Sequence, residues 1–339
     1  MREFLRSYLF VYLFCMGLSL GSLANLMLHQ LTGGRWGDAL RAPLIAAASL
    51  LPLIAIFCFP LLIDLPLVFG WMSHPASVAT KSWWLNTPFF LARAALYLAI
   101  WSALALRWIA LARRAQGTRS PELIRLSAAG LIIYGITVSL AAVDWIMSLT
   151  PVWYSSTFGL VVGVAAMQAA LAFAVCARTW PVLLRARSAS PQSQSPESRG
   201  LCGDFGNLLL TFVLTLTYLS YTQYLIVWAE DLPNEIAWYL PRLQTSWRAI
   251  TLVLILLQFI VPFLLLLMRP IKRDARYLGL IAAALLVCGL LNFFYLVKPA
   301  FMPAGLSLRW SDPAVAVVVI GAWFLAWRRR FPAAERHFA

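Results

Sequence analysis

The sequence predicts an all-α integral membrane protein with about nine transmembrane helices. Hydrophobic residues make up 62% of its 339 residues, charged residues make up only 12%, and the mean hydropathy is +0.79. A chain of this size cannot bury so much apolar surface in one water-soluble core, so a lipid bilayer is its expected environment. The formal charge of +14 does not indicate nucleic-acid binding, because the basic residues occur in short runs between apolar segments.

Nine apolar runs have the length and composition expected of membrane-crossing helices. They span residues 5–28, 42–63, 87–109, 124–149, 157–180, 207–228, 249–268, 277–297 and 314–327. The first run is too long for the apolar region of a signal peptide and lacks a small-residue cleavage site, which indicates a retained helix. The last run is short, so we expect Asp312 and Pro313 to supply its first turn.

Lysine and arginine are unevenly distributed over the connections between these runs. Nineteen lie in or beside the connections that follow the odd-numbered runs, and six lie in the alternate set, which includes the amino terminus. Cytoplasmic connections are enriched in basic residues, so the first set is expected in the cytoplasm. The prediction is a bacterial inner (cytoplasmic) membrane protein with its amino terminus outside and its carboxyl terminus inside.

Reporter fusions made after Arg119 and after Glu235 are expected to report opposite sides of the membrane. The two residues lie in connections that belong to different sets. The measurement is the activity of paired phosphatase and fluorescent-protein fusions in bacterial cells. High phosphatase activity from the Arg119 fusion would contradict the predicted orientation.

A segment rich in Ser, Pro and Gln divides the runs into five and four. Residues 188–203 read SASPQSQSPESRGLCG, a composition that predicts a flexible cytoplasmic linker. The connection after the sixth run is different in composition, because it carries Glu230, Asp231 and Glu235 among several tryptophan and tyrosine residues. We expect that connection to form an ordered structure on the outer face.

Two consecutive apolar runs each contain an ionisable residue. Arg93 lies about 9 Å along the third run from its outer end, and Asp144 lies at a similar depth in the fourth. A lone charge at this depth is costly, whereas a hydrogen-bonded pair is tolerated. The two residues are expected to pair across antiparallel helices. In the alternative, Arg93 extends to the surface and Asp144 caps a broken helix end.

Several titratable residues in or next to the runs are candidates for proton transfer or ion pairing. They are Arg93, Tyr134, Asp144, Glu230, Asp231 and Glu235. Polar stripes in the first run, with Ser7, Ser19 and Ser22, and in the sixth, with Thr211 and Thr215, have two interpretations. One is close helix packing through small and hydroxyl-bearing residues, and the other is a hydrated proton path.

The sequence shows no pattern that would hold a metal ion, haem or iron–sulfur cluster. The five cysteines are scattered without a C-x-x-C pair, and His29, His74 and His337 lie at or beyond the ends of the runs. No P-loop, HExxH or dinucleotide-binding motif occurs either. We therefore expect no cofactor and no metal site.

Four long motifs resemble one family of respiratory membrane proteins. They are LTGGRWGDALR (31–41), KSWWLNTPFFLAR (81–93), DWIMSLTPVWYSSTFG (144–159) and SYTQYLIVWAEDLPNEIAWYLPRL (220–243). In this order they resemble the ActF family, the second NrfD-like membrane subunits of alternative complex III, a bacterial quinol:cytochrome c oxidoreductase. The chain departs from the family pattern at Asp231 and Asn234, where the family has Asn and Glu.

The resemblance implies an architecture. Members of the family are expected to have ten helices, eight of them in two four-helix bundles between peripheral first and last helices. With nine runs visible, the family's first peripheral helix is expected to be missing. The predicted domains are a first bundle at 1–156, a second bundle at 157–312 with a linker at 181–204, and a C-terminal peripheral helix with a basic tail at 313–339.

The resemblance also implies a function. The expected role is a non-catalytic, cofactor-free subunit that lies beside an NrfD-like quinol subunit, an iron–sulfur protein and a multihaem cytochrome, and that assists proton transfer. One alternative is an NrfD-type anchor with its own quinol site. That site would draw on His74, Asp144 and Trp153, because quinol oxidation needs a proton acceptor beside an apolar slot. Another alternative is a secondary transporter, for which interrupted helices at matching positions in the two halves are lacking.

Overall fold

The computed structural model describes residues 1–74, 79–115, 120–185, 195–307 and 309–338. The described chain is 85% helix and contains no strand. Nine helices in it are long and apolar enough to span a membrane, in agreement with the predicted number. They are α1 (Arg2–Thr32), α2 (Arg35–Leu62), α3 (Thr87–Arg114), α4 (Pro121–Leu149), α5 (Phe158–Trp180), α6 (Pro196–Glu230), α7 (Arg248–Leu267), α8 (Ala275–Ala300) and α9 (Ser311–Arg336).

Side-chain caps precede the starts of α3, α4 and α6. Asn86, Ser120 and Ser195 each accept a hydrogen bond from the backbone N–H three residues later. A proline follows each cap within two residues, where the first helical turn tolerates it. These caps satisfy amide groups that have no partner inside the helix, so they fix where each helix begins.

The segment predicted as a flexible linker, 181–204, is helical at both of its ends. The helix of α5 continues to Arg185, and α6 begins at Pro196. Residues 186–194, the centre of the predicted linker, lie outside the described residues. The composition of 188–203 is misleading because Ser195 and Pro196, which suggest a linker, here act as a helix cap and first helical residue.

The last helix is longer than the apolar run that predicts it. It starts at Ser311, with Asp312 in its first turn as expected, and runs to Phe338. The run at 314–327 is only its apolar centre. Arg328, Arg329 and Arg330 continue the helix because arginine is a good helix former, even though its charge ends the hydrophobic run.

Two of the nine helices are interrupted, and prolines account for both interruptions. α2 consists of three pieces, and Pro52 and Pro60 stand in the first turns of the second and third. α7 contains a π-helical turn at Ile255–Ile260, shortly before Pro262. Proline lacks the N–H that bonds to the carbonyl four residues earlier, so a regular helix cannot continue through these positions.

The helices pack in two groups that share one core. Helices α1 to α4 contact one another around the first group, and α5 to α8 do so around the second. α1 packs along α5 and α8, which joins the groups, and α9 packs on α1 and α2. One continuous cluster of buried apolar residues runs through both groups. α1 is the central helix, since the apolar window that marks it as a membrane span is fully buried.

The two ends of the helices define two faces. We call the amino-terminal face the side that holds Met1 and the described residues of the α2–α3, α4–α5, α6–α7 and α8–α9 connections. These connections bond to one another: Lys81 Nζ donates to the carbonyl of Pro151, and Trp247 Nε1 donates to the carbonyl of Met302 at 2.9 Å. The α6–α7 connection is therefore part of an ordered surface, as expected.

The two polar stripes differ in their surroundings. In α1, Ser19 and Ser22 are fully buried, and Ser19 accepts a hydrogen bond of 2.9 Å from Trp323 Nε1 of α9. In α6, Thr211 is exposed and Thr215 is half-buried, and both donate to carbonyls of their own helix. Helix packing therefore accounts for the α1 stripe, whereas these two hydroxyls of the α6 stripe bond within their own helix.

The crossing of α1 and α5 is close because of Gly21. A Cβ atom at this position would lie 2.3 Å from the carbonyl oxygen of Ala166, which is backbone and cannot rotate away. Asn25, one turn further along α1, donates to the carbonyl of Met167 at 2.9 Å. A small residue at such a crossing allows the two backbones to approach, which is a common way for membrane helices to associate.

Replacing Gly21 by Ala is expected to lower the free energy of unfolding by about 1–3 kcal/mol, because the added methyl group would force α1 and α5 apart. Gly321→Ala is the matched control, since nothing lies within 4 Å of a Cβ atom built there. Thermal unfolding of the detergent-solubilised protein measures both. Equal unfolding temperatures for the two variants would contradict the close crossing.

Candidate functional site

Asp144 and Arg93 form a buried ion pair near the amino-terminal face. Arg93 Nε lies 2.8 Å from Oδ2 of Asp144, and Nη2 lies 2.8 Å from Oδ1. Trp84 Nε1 donates to Oδ1 and the Tyr97 hydroxyl donates to Oδ2, each at 2.9 Å. The predicted pairing is confirmed, and the alternative in which Arg93 extends to the surface is not observed.

The surroundings of this pair leave little room for other chemistry. Arg93 is 6% exposed and Asp144 is fully buried. The guanidinium carbon of Arg93 lies 4.1 Å from the ring centroid of Trp84 and 4.2 Å from that of Phe89, so ring faces help to compensate its charge. A carboxylate offers about four lone-pair sites, and Asp144 already accepts four hydrogen bonds. The geometry favours a structural role.

A second buried ion pair, which the sequence analysis did not predict, joins α9 to α1 and α8. Lys298 Nζ lies 2.6 Å from Oδ1 of Asp312, and Lys298 is fully buried. Ser7 Oγ donates to the same carboxylate oxygen at 2.6 Å. Because each residue comes from a different helix, this cluster fixes the position of α9 at the amino-terminal face.

A cavity of about 800 Å³ lies between α6 and α7, within the second group of helices. α5, α8 and the α6–α7 connection complete its walls. The lining is mostly apolar and rich in rings, which include those of Phe158, Tyr221, Tyr224, Phe259 and Tyr295. A largely apolar cavity with a few polar groups is the usual form of a small-molecule site.

Besides hydroxyl groups, the polar groups of the cavity include three amides. Gln223 of α6, Gln258 of α7 and Asn292 of α8 line it, and each is at most 9% exposed. Gln223 donates to the Tyr239 hydroxyl at 3.1 Å, and Gln258 donates to Gln168 Oε1 at 3.2 Å. Within the described part of the chain, Gln223 Oε1 and the Asn292 side chain have no hydrogen-bond partner. The cavity therefore presents unpaired amide groups in an apolar setting.

The position of Gln258 follows from the interruption of α7. Pro262 cannot donate a hydrogen bond to the Gln258 carbonyl, and the helix widens there into the π-helical turn Ile255–Ile260. Gln258 is the buried residue of that turn. Single π-helical turns occur frequently at functional sites because they redirect one side chain without ending the helix.

Trp153, one of the predicted site residues, supports the wall of the cavity. Its ring stacks on Trp238 with centroids 4.9 Å apart and an angle of 18°. Arg242 also lies over the Trp238 ring, at 3.5 Å, and donates to the carbonyls of Tyr295 and Leu296. Burial lowers the pKa of Arg242, and the ring and carbonyl contacts offset part of the cost of burying its charge.

The other residues predicted for a quinol site do not converge on this cavity. Asp144 is enclosed by its ion pair, and His74 lies exposed in the α2–α3 connection. Trp153 is held in its stack with Trp238. The three residues therefore lie in three different environments and do not form one site.

The remaining candidates for proton transfer are dispersed. The Tyr134 hydroxyl donates to the Gly163 carbonyl at 2.7 Å and so joins α4 to α5. Glu230 and Asp231 are exposed, and Asp231 ends α6 with a left-handed backbone (φ 51°). Glu235 is 9% exposed, and its side chain has no hydrogen-bond or ion-pair partner among the described residues.

Sequence reasoning missed the amides of the cavity and the Lys298–Asp312 pair. An isolated Gln or Asn inside an apolar run is also what helix packing uses, so it carries no separate signal. A signal did exist for the ion pair, since Lys298 and Asp312 lie at the two ends of one connection between consecutive runs.

Among the described residues, no three or more His, Cys, Asp or Glu side chains form a group that could hold a metal ion. The absence of a cofactor stays a prediction. No protein-family model matches the chain, and the search of curated proteins gives no match.

Proposed function

We propose that this chain is a non-catalytic, cofactor-free integral subunit of a bacterial respiratory quinol:electron-acceptor oxidoreductase of the alternative complex III type. In this proposal the two groups of helices are the two NrfD-like bundles, and α9 is the C-terminal peripheral helix. The amino-terminal face lies outside the cytoplasm. The partners are an NrfD-like quinol subunit, an iron–sulfur protein and a multihaem cytochrome.

One observation supports the proposal best: three of the motifs that resemble the ActF family interact in space. Arg93 from the second motif pairs with Asp144 from the third, and Lys81 bonds to Pro151 between the same two motifs. Trp153 from the third motif stacks on Trp238 from the fourth. Segments far apart in the sequence therefore form one connected structure, which is what a resemblance of whole folds requires.

The closed ion pair agrees with a non-catalytic role. A group that accepts a proton during quinol oxidation must be able to contact the substrate, and the oxygens of Asp144 are fully engaged by protein groups. The geometry gives less support to a transporter. The chain's two interrupted helices are α2 and α7. α2 is the second helix of the first group and α7 is the third helix of the second group, so the interruptions are not at matching positions.

Isolation of the tagged chain from its native membranes tests the proposal. We expect a complex that contains a multihaem cytochrome with a Soret absorption band, an iron–sulfur protein and a second NrfD-like subunit, and that oxidises quinol. Denaturing separation is expected to leave this chain without haem or iron. Recovery of the chain without these partners would contradict the proposal.

A further inference from the structure

We propose that the cavity between α6 and α7 is a binding site for a quinone or quinol, held by amide hydrogen bonds and not oxidised or reduced there. The inference stands on the cavity alone and does not depend on the assembly proposed above. It places a ligand in the second group of helices, away from Asp144.

The shape and lining of the cavity indicate the class of ligand. α6 contacts the later part of α7, from Ile255 onward, whereas the first part of α7 packs on α8 and on the helix Leu240–Gln244. The space between the two helices is therefore widest toward the amino-terminal face, where Tyr221 and Thr251 line it. An apolar tail fits between two membrane helices, and aromatic walls suit a flat ring.

The unpaired amides indicate a ligand with oxygen atoms. Asn292 is 9% exposed and lines the cavity, and its side chain makes no hydrogen bond among the described residues. Gln223 Oε1 is also buried without a partner. Asn292 can donate to a carbonyl and Gln223 can accept from a hydroxyl, so together they suit either redox form of the ring. A phosphate or ammonium head would find no opposite charge among the described lining residues.

The same lining argues against chemistry at this site. The described residues that form it include Tyr and amide side chains but no Asp, Glu, His or Lys. Oxidation of a quinol requires a group that accepts its protons. Burial raises the pKa of Tyr239, at the edge of the cavity, to about 12, so its hydroxyl stays protonated at neutral pH and is a poor proton acceptor. We therefore expect the cavity to bind the quinone or quinol without oxidising or reducing it.

The experiment is photolabelling of the full chain in phosphatidylcholine nanodiscs with a short-chain ubiquinone that carries a diazirine on its tail. We expect one label per chain, on peptides that contain residues 214–224 or 254–259. Excess decylubiquinone is expected to remove the label. Displacement by the same excess of dioleoylglycerol or phosphatidylglycerol would overturn the inference, because the cavity would then be a groove for bulk lipid.

Asn292→Leu is the sharpest variant, because Asn292 makes no protein hydrogen bond that its removal would break. We expect the dissociation constant of decylubiquinone to rise about five- to tenfold, the effect of one neutral hydrogen bond. The unfolding temperature of the ligand-free protein is expected to stay the same or rise, since an unpaired buried amide is removed. Gln244→Leu is the control, since Gln244 is exposed and outside the cavity.

A pair of bulky substitutions tests the position of the tail. Ile255→Trp fills the cavity and is expected to abolish labelling, whereas Leu256→Trp, at an exposed neighbour outside the lining, is expected to leave labelling unchanged. Equal labelling of both variants would overturn the inference. Since the isolated chain suffices here, failure to bind would leave the proposed assembly standing, and failure to assemble would leave this site standing.

Discussion

Replacing Asp144 by Asn is expected to destabilise the folded protein by about 3–5 kcal/mol, because it leaves the buried guanidinium of Arg93 without its counter-charge. The amide has nearly the same size as the carboxylate, so the loss is electrostatic and not a cavity effect. We expect a large fall in the yield of folded protein from membranes and a lower unfolding temperature. An unchanged unfolding temperature would contradict the role of the pair.

A double-mutant cycle separates the pair from its single residues. Asp144→Leu combined with Arg93→Leu removes both desolvation costs, so the double variant is expected to be more stable than either single variant. Additive single effects would contradict coupling. Tyr97→Phe is a control that removes only one hydrogen bond, and it is expected to lower the free energy of unfolding by about 1 kcal/mol.

The cycle also distinguishes a structural pair from a proton route. Leucine cannot carry a proton, so in the proposed complex a route through Asp144 would leave the double variant assembled but inactive in quinol oxidation. We expect assembly and turnover to recover together, since Asp144 has no oxygen free to accept a proton. Assembly without turnover would show that the pair transfers protons.

Replacing Lys298 by Met is expected to lower the free energy of unfolding by a similar amount, about 3–5 kcal/mol. The reason is that the carboxylate of Asp312 would remain buried without a cation. α9 should be affected first, since Asp312 lies in its first turn. Protease cleavage within the carboxyl-terminal part is expected to become faster than cleavage elsewhere. Lys298→Met combined with Asp312→Leu should restore most of the resistance.

Arg309→Gln provides a matched control for this second pair. Arg309 and Glu3 form an ion pair of 3.3 Å on the same face, but the Arg309 side chain is 48% exposed. Exposed ion pairs contribute about 0–1 kcal/mol, so this variant is expected to behave like the unmodified protein. A loss of stability as large as that of Lys298→Met would show that burial does not determine how much an ion pair contributes to stability.

The number of helices and the Arg93–Asp144 pair could be predicted because each follows from a large free-energy penalty. Neighbouring residues in the sequence do not remove that penalty. An apolar run of about twenty residues must be covered by lipid or protein, and a charge inside it must be paired. The linker could not be predicted in this way. Ser195 and Pro196 suit both a flexible segment and a helix start, and composition alone does not distinguish the two.

The cavity could not be predicted because its lining residues are ordinary in sequence. Gln223 and Asn292 lie on different helices, and each alone resembles a packing residue. Only the arrangement of α6, α7 and α8 shows that the Gln223 oxygen and the Asn292 side chain lack hydrogen-bond partners among the described residues. One local clue exists, since Pro262 stands four residues after Gln258 and so predicts an irregular turn.

The burial of α1 on every side has a consequence for biogenesis. This helix is synthesised well before α9, yet its final neighbours include α9, and the bonded pair Ser19 and Trp323 lies 304 residues apart in sequence. Until α9 is inserted, Ser7 and Ser19 must remain beside lipid or temporary helper proteins. Contacts between such distant segments form slowly, so we expect the final packing of α1 to follow synthesis. Insertion of α9, rather than insertion of the early helices, would start that step.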